Sequence, residues 1–295
     1  MKYKITKHEI GYYFIDPLPN KKELEEYYSK KYYQNLEIAT YSKEYSQDEM
    51  NVLKIDGHIS DYIYNEHFKS ETKNLIDVAC GEGFFMKFMK SYGWNVSGID
   101  FSNEGIKNHN SQLLDKIETD DVLKNLKKLI KKNKTFQFIN LGNILEHVIN
   151  PNELLRDCYK LMTNNAILRI KVPNDFSDLQ NSLEKNNLND KKWVCPPDHL
   201  SYFNFKSLRN ICEHNNLKIV KEIGDFPIEI YLANKYSNYY INDNGSESHN
   251  ARINLTNLIF NKGLDKYLKW AEGVASAEIS RSCTFFCQKK NDSLK

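Results

Sequence analysis

Residues 75–105 read LIDVACGEGFFMKFMKSYGWNVSGIDFSNEG, and the pattern of apolar residues changes several times within them. The run from Leu75 to Ala79 predicts a buried strand, and the small residues after it predict a tight turn. Apolar residues in the segment 84–89 are spaced for one buried helix face. A second apolar run, Val96 to Ile99, ends on the carboxylate of Asp100. This order of elements is typical of the first half of a nucleotide-binding α/β sheet.

The glycine turn indicates which kind of ligand the sheet binds. Gly81 and Gly83 lack a Cβ, so the backbone of the turn can approach a ligand closely. Asp100 lies where a carboxylate can accept hydrogen bonds from both hydroxyls of a ribose. A dinucleotide would require a third glycine beside its pyrophosphate, and that position is Met86. The turn therefore favours an adenosine-like ligand that has no pyrophosphate.

The composition is that of a globular chain. Its 295 residues are 40% hydrophobic and carry a formal net charge of +2, which gives no general case for nucleic-acid binding. It has no apolar run of the ~18 residues that a membrane span needs, and the segment MKYKITKHEI has no apolar h-region, so neither a span nor a secretory signal is expected. The scattered cysteines suit a reducing compartment. We therefore expect a cytoplasmic protein that binds neither membrane nor nucleic acid.

The chain after residue 105 continues the alternation of strands and helices. The pair Asn143 and Glu146 predicts a capped helical turn, and the pair Asn164 and Asn165 predicts a left-handed stop after a helix. One helix face carries lysines at 124, 127, 128, 131 and 132, which we interpret as a solvated face. The segment 176–205 has no clear period. Strands are predicted over 136–141, 166–172, 217–223 and 282–288, and helices over 22–30, 151–162 and 206–215.

These motifs together resemble class I S-adenosylmethionine-dependent methyltransferases. DVACGEG (77–83) resembles the acidic glycine-rich turn of that family, with Ala79 in place of the first glycine. GID (98–100) resembles its ribose-binding acid, and residues 138–174 are similar to its region around a Leu-Glu-His triplet. The resemblance implies a Rossmann-like three-layer α/β sandwich with a mixed seven-stranded sheet and an antiparallel last strand. It also implies S-adenosylmethionine as methyl donor and S-adenosylhomocysteine as product.

Two flanking segments resemble bacterial sugar and surface-polysaccharide methyltransferases. Residues 9–33 are similar to the segment after a zinc module in those enzymes, but the cysteines of the module are absent, so no metal is expected. PPDHLSYFNFKSL (196–208) resembles a stretch in which a histidine is implicated as a base beside the sugar, with Pro196 where those enzymes often have tyrosine. The acceptor implied is a hydroxyl of a sugar, or of a nucleotide- or phosphate-linked polysaccharide precursor.

The pattern along the chain divides it into two expected parts. Residues 1–70 are an N-terminal leader and helical lid, and residues 71–295 are the methyltransferase domain. Within that domain, residues 227–275 are expected to form a helical insertion with a polar break at 242–249, placed before the last strand. The leader and the insertion are expected to cover the strand ends and exclude water from the site.

Candidate donor-binding residues lie at the ends of the predicted strands. Asp77 is placed to hold the amino group of the donor, or else to cap the turn. Phe101 could flank the adenine or belong to the core, and either Asp120 or Asp121 could meet the adenine amino group or cap the next helix. The full candidate set is Asp77, Ala79, Gly81, Gly83, Asp100, Phe101, Asp120, Asp121, Leu141 and Gly142.

Candidate catalytic residues are those that could take a proton from a hydroxyl acceptor. His199 is the first candidate for this base, with Asp198 orienting it or holding the substrate. The alternative for His199 is a loop histidine bonded to backbone. His147 is the second candidate, and its alternative is a histidine that packs a helix. The tyrosines that could line the mouth of the site, or simply belong to a lid, are Tyr202, Tyr33 and Tyr41.

Other functions stay open at this point. An N-methyltransferase acting on a small amine would use the same donor site, and a degenerate protein could bind the donor without turnover. An RNA methyltransferase would need a basic groove with aromatic platforms, which the balanced charge disfavours. The expected partner is a small-molecule acceptor, with a homodimer as the expected assembly if the chain associates.

Overall fold

The computed structural model describes residues 3–20, 22–24, 26–27, 44–189, 191 and 193–290. Ten strands lie in this part of the chain, and they form two sheets. The strands are β1 Lys4–Lys7, β2 Tyr13–Asp16, β3 Asn74–Val78, β4 Asn95–Asp100, β5 Ile117–Thr119, β6 Phe136–Gly142, β7 Met162–Pro173, β8 Ser201–Tyr202, β9 Leu217–Gly224 and β10 Ser282–Lys289.

The larger sheet has seven strands in the order β5-β4-β3-β6-β7-β10-β9. Strands β3 to β7 run parallel to one another, with Asp77 opposite both Gly98 and Asn140. Strand β10 lies between β7 and β9 and is antiparallel to both. The predicted mixed sheet with an antiparallel last strand is therefore confirmed, and its parallel half presents several strand ends at one edge.

Helices cover both faces of this sheet. They are α1 Gln47–His67, α2 Phe84–Ser91, α3 Glu104–His109, α4 Val122–Lys131, α5 Pro151–Leu161, α6 Asp178–Lys185, α7 Phe205–His214, α8 Gly245–Phe260 and α9 Leu264–Ser276, with short 3₁₀ helices at Ser111–Lys116 and Ile228–Ala233. No helix in the described part of the chain combines the length and the apolarity that crossing a membrane would require.

Burial on both faces of the sheet follows from the alternation of side chains along each strand. Ile76 and Leu168 point into a core shared with α5 and α7. Their neighbours Leu75 and Ile167 point into a second core shared with α1, α2 and α9. The three-layer sandwich predicted from the sequence is thus the observed architecture.

The smaller sheet has the order β1-β2-β8 and joins the leader to the segment 201–202. Tyr13 pairs with Tyr202, and the N–H of Ile15 donates to the carbonyl of Leu200 over 3.0 Å. The N–H groups of Leu200 and Ser201 both donate to the carbonyl of Glu146. These bonds fix the chain directly after His199 against the segment that follows β6.

Several local predictions differ from the structure. Helix α5 ends at Leu161 and β7 begins at Met162, so Asn164 and Asn165 lie in a strand and the predicted left-handed stop is wrong. Met162 already has the extended angles φ −72° and ψ 138°, and the backbone therefore turns from helix to strand without a left-handed residue. Asn143 adopts φ 56°, and the N–H of His147 donates to the carbonyl of Ile144, so a tight turn lies where a capped helical turn was predicted.

Helix α6 was absent from the sequence prediction of the segment 176–205. The side chain of Ser177 caps it by accepting from the N–H of Gln180, but the helix spans only eight residues and gives little periodic signal. In the insertion, α8 begins at Gly245, inside the predicted polar break, and α9 ends at Ser276. The helix predicted over residues 22–30 falls partly outside the described residues.

The crossing of α1 and α2 depends on a glycine. A Cβ on Gly57 would lie 2.8 Å from the Cβ of Phe88, which is closer than such atoms approach. We expect Gly57→Ala to lower the free energy of unfolding by about 1–3 kcal/mol, because the overpacking outweighs the gain of about 1 kcal/mol in helix propensity. Urea unfolding would measure the change.

A second helical glycine provides the matched control. Gly273 lies in α9, and a Cβ built on it meets nothing within 4 Å. Gly273→Ala should leave the protein as stable as the parent or up to about 1 kcal/mol more stable. If both substitutions changed the free energy of unfolding in the same direction, close packing at Gly57 would not explain the effect of Gly57→Ala.

Candidate functional site

A cavity of about 1210 Å³ lies at the carboxyl ends of the parallel strands, where ligands of open α/β sheets bind. Its wall includes the turn after β3, the ends of β4, β6 and β7, one face of α4 along its length, and the segment before β8. Of the residues singled out in the sequence, its wall contains Ala79, Gly81, Asp100, Phe101, Asp121, Gly142, His147, Asp198 and His199.

The turn after β3 has a left-handed backbone at three positions. Ala79, Gly81 and Gly83 have φ of 60°, 53° and 75°. A Cβ on Gly83 would also lie 2.7 Å from the side chain of Ile106, so this position needs glycine on two grounds. Ala79 adopts an angle that disfavours a residue with a Cβ, so alanine at this position carries a strain that glycine would avoid.

Asp100 holds this turn through its carboxylate. One oxygen, Oδ2, accepts a hydrogen bond from the N–H of Gly81 over 2.8 Å, and Oδ1 accepts one from the N–H of Ser102 over 3.0 Å. Burial raises the pKa of Asp100, while these N–H groups act in the opposite direction. Each oxygen keeps a second lone pair, so the carboxylate can accept two further hydrogen bonds from a ligand.

Asp77 lies behind the cavity wall in a chain of polar side chains. Its Oδ1 accepts from Nδ2 of Asn140 over 2.6 Å, and Oδ1 of Asn140 accepts from Nη1 of Arg169 over 2.8 Å. Arg169 is 3% exposed and donates through Nη2 to Asp56 over 2.8 Å. Burial raises the pKa of Asp77 to about 7, although Asn140 and Arg169 favour its ionised form.

The structure distinguishes Asp120 from Asp121. Asp120 lies outside the cavity wall and pairs with Lys124 and Lys128 over 2.9 and 3.0 Å, which lowers its pKa. Asp121 is in the wall, and its Oδ1 accepts from the N–H of Lys124 as the cap of α4. Phe101 is 39% exposed in the same wall, so it is a cavity residue and not a core aromatic.

The lysine face of α4 also borders the cavity. Lys124, Lys127, Lys128 and Lys131 are in its wall. Lys127 pairs with Glu153 of α5, and two others pair with Asp120. The interpretation of this face as purely solvated is therefore incomplete, although most of its charge is neutralised by carboxylates.

The two histidine candidates are in contact. The rings of His147 and His199 are edge-to-face with centroids 4.9 Å apart. Nδ1 of His147 lies 2.6 Å from the carbonyl oxygen of Asp198 and 3.8 Å from Oδ1 of the same residue. Nδ1 of His199 lies 3.9 Å from Oδ2 of the buried Asp175. The structure thus unites residues that are about fifty positions apart in the chain.

Three charged residues beside the histidines were missed by sequence reasoning as functional groups. Glu146 is 2% exposed, and burial raises its pKa to about 8, with Asp175 and Asp198 acting in the same direction. Asp175 accepts from Nη1 of Arg281 over 2.8 Å. The Leu-Glu-His triplet was the available signal for Glu146, whereas Arg281 approaches from the loop just before β10.

Besides Asp77 and Asp120, three candidates lie outside the cavity wall, and two others fall outside the described residues. Tyr202 is 1% exposed, lies outside the cavity wall, and donates to the carbonyl oxygen of His199 over 3.2 Å. It therefore supports the histidine segment from behind instead of lining the mouth. Leu141 and Gly83 are also outside the wall. Tyr33 and Tyr41 lie outside the described residues.

Comparison with known proteins places this arrangement in context. A family model described as a methyltransferase domain matches residues 57–222. A ubiquinone biosynthesis O-methyltransferase of Glaesserella parasuis is 28% identical over 110 residues, which cover 35% of this chain and 46% of the relative. The Coxiella burnetii protein of the same name is 29% identical over 93 residues, covering 30% and 39%. The matched segments thus span less than half of each relative.

The fold also matches a solved structure. A SAM-dependent methyltransferase from Archaeoglobus fulgidus superposes with a TM-score of 0.50 at 20% identity, covering 81% of this chain and 94% of that one. The sequence relatives above carry names from ubiquinone biosynthesis, not from sugar methylation. The comparisons therefore support the methyltransferase resemblance and leave its sugar-specific part without support.

Proposed function

This chain belongs to the methyltransferase-domain family, and we propose that it transfers a methyl group from S-adenosylmethionine to a hydroxyl of a small polar acceptor. The proposal rests on one observation. The wall of one cavity contains the Gly81 turn and Asp100 as well as the pair His147 and His199. Its volume of about 1210 Å³ exceeds the ~300–1,000 Å³ usual for one small ligand, so two ligands can share it.

The donor fits the polar groups at the turn end of the cavity. The free lone pairs of Asp100 suit the two ribose hydroxyls, and Asp121 in the wall suits the adenine amino group. The donor's ammonium is a cation that would favour the ionised form of the buried Asp77. Once bound there, the donor supplies a methyl group already activated by its sulfonium, so the protein has to align the acceptor.

The acceptor is activated at the histidine end of the cavity. His199 takes the hydroxyl proton, and the buried Asp175 that faces Nδ1 stabilises the imidazolium that results. The oxygen–methyl bond forms as the sulfur–methyl bond breaks, and its electron pair stays on sulfur. Asp198, at the edge of the cavity, is placed to bind the acceptor.

The acceptor class we favour is a sugar or a nucleotide- or phosphate-linked precursor of surface polysaccharide. The resemblance of residues 196–208 to sugar methyltransferases motivates it, and the structure puts His199 of that segment in the cavity wall. A hydroxylated intermediate of ubiquinone biosynthesis is the second candidate, because the relatives reported above carry that name.

A labelled-donor assay tests these alternatives. Purified protein is incubated with methyl-labelled S-adenosylmethionine and panels of sugar nucleotides, hydroxylated quinone precursors and small amines. We expect label on oxygen of a member of the first panel, whereas transfer to the second or third would replace the acceptor we favour. Calorimetric titration with S-adenosylhomocysteine should show saturable binding, and its failure would reject the proposal as a whole.

The two neighbouring aspartates differ in their expected effect on donor binding. Asp121→Ser keeps a capping oxygen for α4 but cannot reach an adenine amino group, so we expect affinity for S-adenosylhomocysteine to fall about tenfold. Asp120→Asn removes only exposed ion pairs and should leave the affinity unchanged. Calorimetry on both variants measures the affinity. Equal losses in Asp121→Ser and Asp120→Asn would contradict the assignment of Asp121 to the adenine amino group.

Donor affinity should depend on pH through Asp77. Its pKa of about 7 means that much of it is protonated below neutrality, whereas a bound ammonium favours the carboxylate. Binding must then release a proton, so the Kd of S-adenosylhomocysteine should rise up to about tenfold per pH unit as pH falls below 7. Titrations between pH 5.5 and 7 should show this slope in the parent and not in Asp77→Asn. A slope that persists in the variant would assign the proton to another group.

A further inference from the structure

We propose that Glu146, His147 and His199 form a binding site for a divalent transition-metal ion in the wall of the cavity. Each residue offers one ligand atom, and these atoms lie within 4.8 Å of one another. All three residues belong to the cavity wall, so an ion held by them would be accessible to a second ligand. The sequence shows no such site, because Glu146 and His147 lie far along the chain from His199.

The tautomer of His147 is the one that a metal ligand needs. Its Nδ1 lies 2.6 Å from the carbonyl oxygen of Asp198, and a carbonyl can only accept, so Nδ1 carries the hydrogen. The lone pair of the neutral ring is then on Nε2. That atom lies 3.8 Å from Oε1 of Glu146. Hydrogen bonding of the remote nitrogen to a backbone carbonyl is the usual way in which proteins orient a ligating histidine.

The buried carboxylate of Glu146 is a second, independent observation that points to a bound cation. Its side chain is 2% exposed, and neither of its carboxylate oxygens has a hydrogen-bond partner in the described part of the chain. A buried carboxylate without a partner is unfavourable unless a cation or a donor satisfies it. A metal ion between Glu146 and the two imidazoles would do so.

The surroundings of His199 complete the arrangement. The buried carboxylate of Asp175 faces its Nδ1 at 3.9 Å, and Arg281 holds that carboxylate over 2.8 Å. Carboxylate–histidine–metal arrangements orient the ring through a hydrogen bond, and 3.9 Å is longer than one, so the carboxylate would have to approach Nδ1 when the ion binds. Asp175 and Arg281 would therefore act as positioning residues behind the ligand.

The donor set favours zinc among common divalent ions. Two imidazoles and one carboxylate suit Zn²⁺ with a fourth, open position, whereas Mg²⁺ prefers oxygen ligands and keeps its water. Bonds of ~2.0–2.2 Å in a tetrahedron separate ligand atoms by about 3.4 Å, and the observed 3.8 Å between Glu146 Oε1 and His147 Nε2 is close to that value.

The site would deepen the proposed function, on which its catalytic part rests. An acceptor hydroxyl in the open position would bind the ion, which lowers the pKa of that hydroxyl. Its proton would leave to solvent past the partly exposed Asp198, after which methyl transfer proceeds with the bond changes given above. In the metal-loaded protein His199 is then a ligand, and the ion replaces it as the means of activating the oxygen.

A competing cluster shares one residue with this site. Cys195, Asp198 and His199 also place one ligand atom each within 4.8 Å of one another. We favour the set with Glu146 because it contains a buried carboxylate whose oxygens lack hydrogen bonds in the described part of the chain. The substitution Cys195→Ser separates the two sets, since it removes a soft ligand from one of them only.

Metal titration of untagged protein tests the site directly. After treatment with a chelator and dialysis, the protein is titrated with Co²⁺, whose visible absorption reports coordination by nitrogen, and then with Zn²⁺ in competition. We expect one equivalent to bind, with affinity reduced at least tenfold in Glu146→Gln and in His147→Ala. His249→Ala, a histidine of α8 outside the cavity wall, and Cys195→Ser should match the parent.

Three outcomes would overturn the assignment: no Co²⁺ spectrum, equal binding by Glu146→Gln, or loss of binding in Cys195→Ser. Titration with S-adenosylhomocysteine serves as the folding check for every variant. Binding of S-adenosylhomocysteine without binding of metal would reject the metal site and leave the proposed function in place. Metal binding without product binding would support the metal site and reject the proposed function.

Discussion

Replacing His199 with alanine is expected to lower kcat by about 10²–10⁴-fold, because the variant loses the group that activates the acceptor oxygen. The affinity for S-adenosylhomocysteine should stay within about threefold of the parent, since the donor contacts proposed above are made by Asp100 and Asp121 and not by His199. Initial rates with the acceptor found by the labelled-donor assay, together with calorimetry, measure both quantities.

The control for this experiment is His249→Ala, because His249 contacts Glu49 on α1 and is not part of the cavity wall. It should retain the parent rate. A rate for His199→Ala within a few-fold of the parent would contradict the assignment of the acceptor end. It would also revive the alternative of a loop histidine without a chemical role.

The second large effect is expected at the donor end. Asp100→Ala removes the acceptor for the N–H groups of Gly81 and Ser102 and for both ribose hydroxyls. Hydrogen bonds to a charged group contribute about 1.5–3 kcal/mol each, so the loss of two of them to the ligand should weaken donor binding by about 10²–10⁴-fold. Calorimetric titration with S-adenosylhomocysteine measures it.

Two variants make the result specific to the ribose contact. Asp100→Asn keeps the shape and one acceptor oxygen, so it should be affected less than Asp100→Ala. Glu104→Gln, which alters an exposed carboxylate of the neighbouring α3, should bind like the parent. If Asp100→Ala bound the product within about threefold of the parent while remaining folded, the ribose could not be held by this residue.

The donor half of the site was predictable because its parts are contiguous. The turn and Asp100 lie within one strand–helix–strand unit, so local periodicity and two glycines suffice to place them together. Asp120 and Asp121 could not be separated in this way. Their difference depends on which side chain faces α4, where one pairs with lysines and the other caps the helix.

The row of polar side chains behind the turn could not be predicted from the sequence for a different reason. Asp77, Asn140 and Arg169 lie opposite one another on three adjacent strands, and this follows from a register that one sequence does not reveal. Polar residues within the apolar runs around Asn140 and Arg169 were the available signal. Their buried positions become intelligible only when the strand order is known.

The acceptor end was predicted only in part. Residues 196–208 pointed to His199 and Asp198, but the contact of His199 with His147 depends on the hydrogen bonds that fix residues 200–201 to the segment that follows β6. Asp175 and Arg281 join the cluster from β7's end and from the loop before β10. Groups assembled from four separate segments leave no spacing in the sequence by which to find them.

Donor binding at this site depends most on one contact, between the ribose of the donor and the carboxylate of Asp100 at the end of β4. A crystal structure with S-adenosylhomocysteine tests it most directly. We predict both ribose hydroxyls within hydrogen-bond distance of Asp100, the adenine beside Asp121, and the sulfur directed toward His199. A nucleoside bound away from Asp100, or a phosphate seated on the Gly81 turn, would contradict the account.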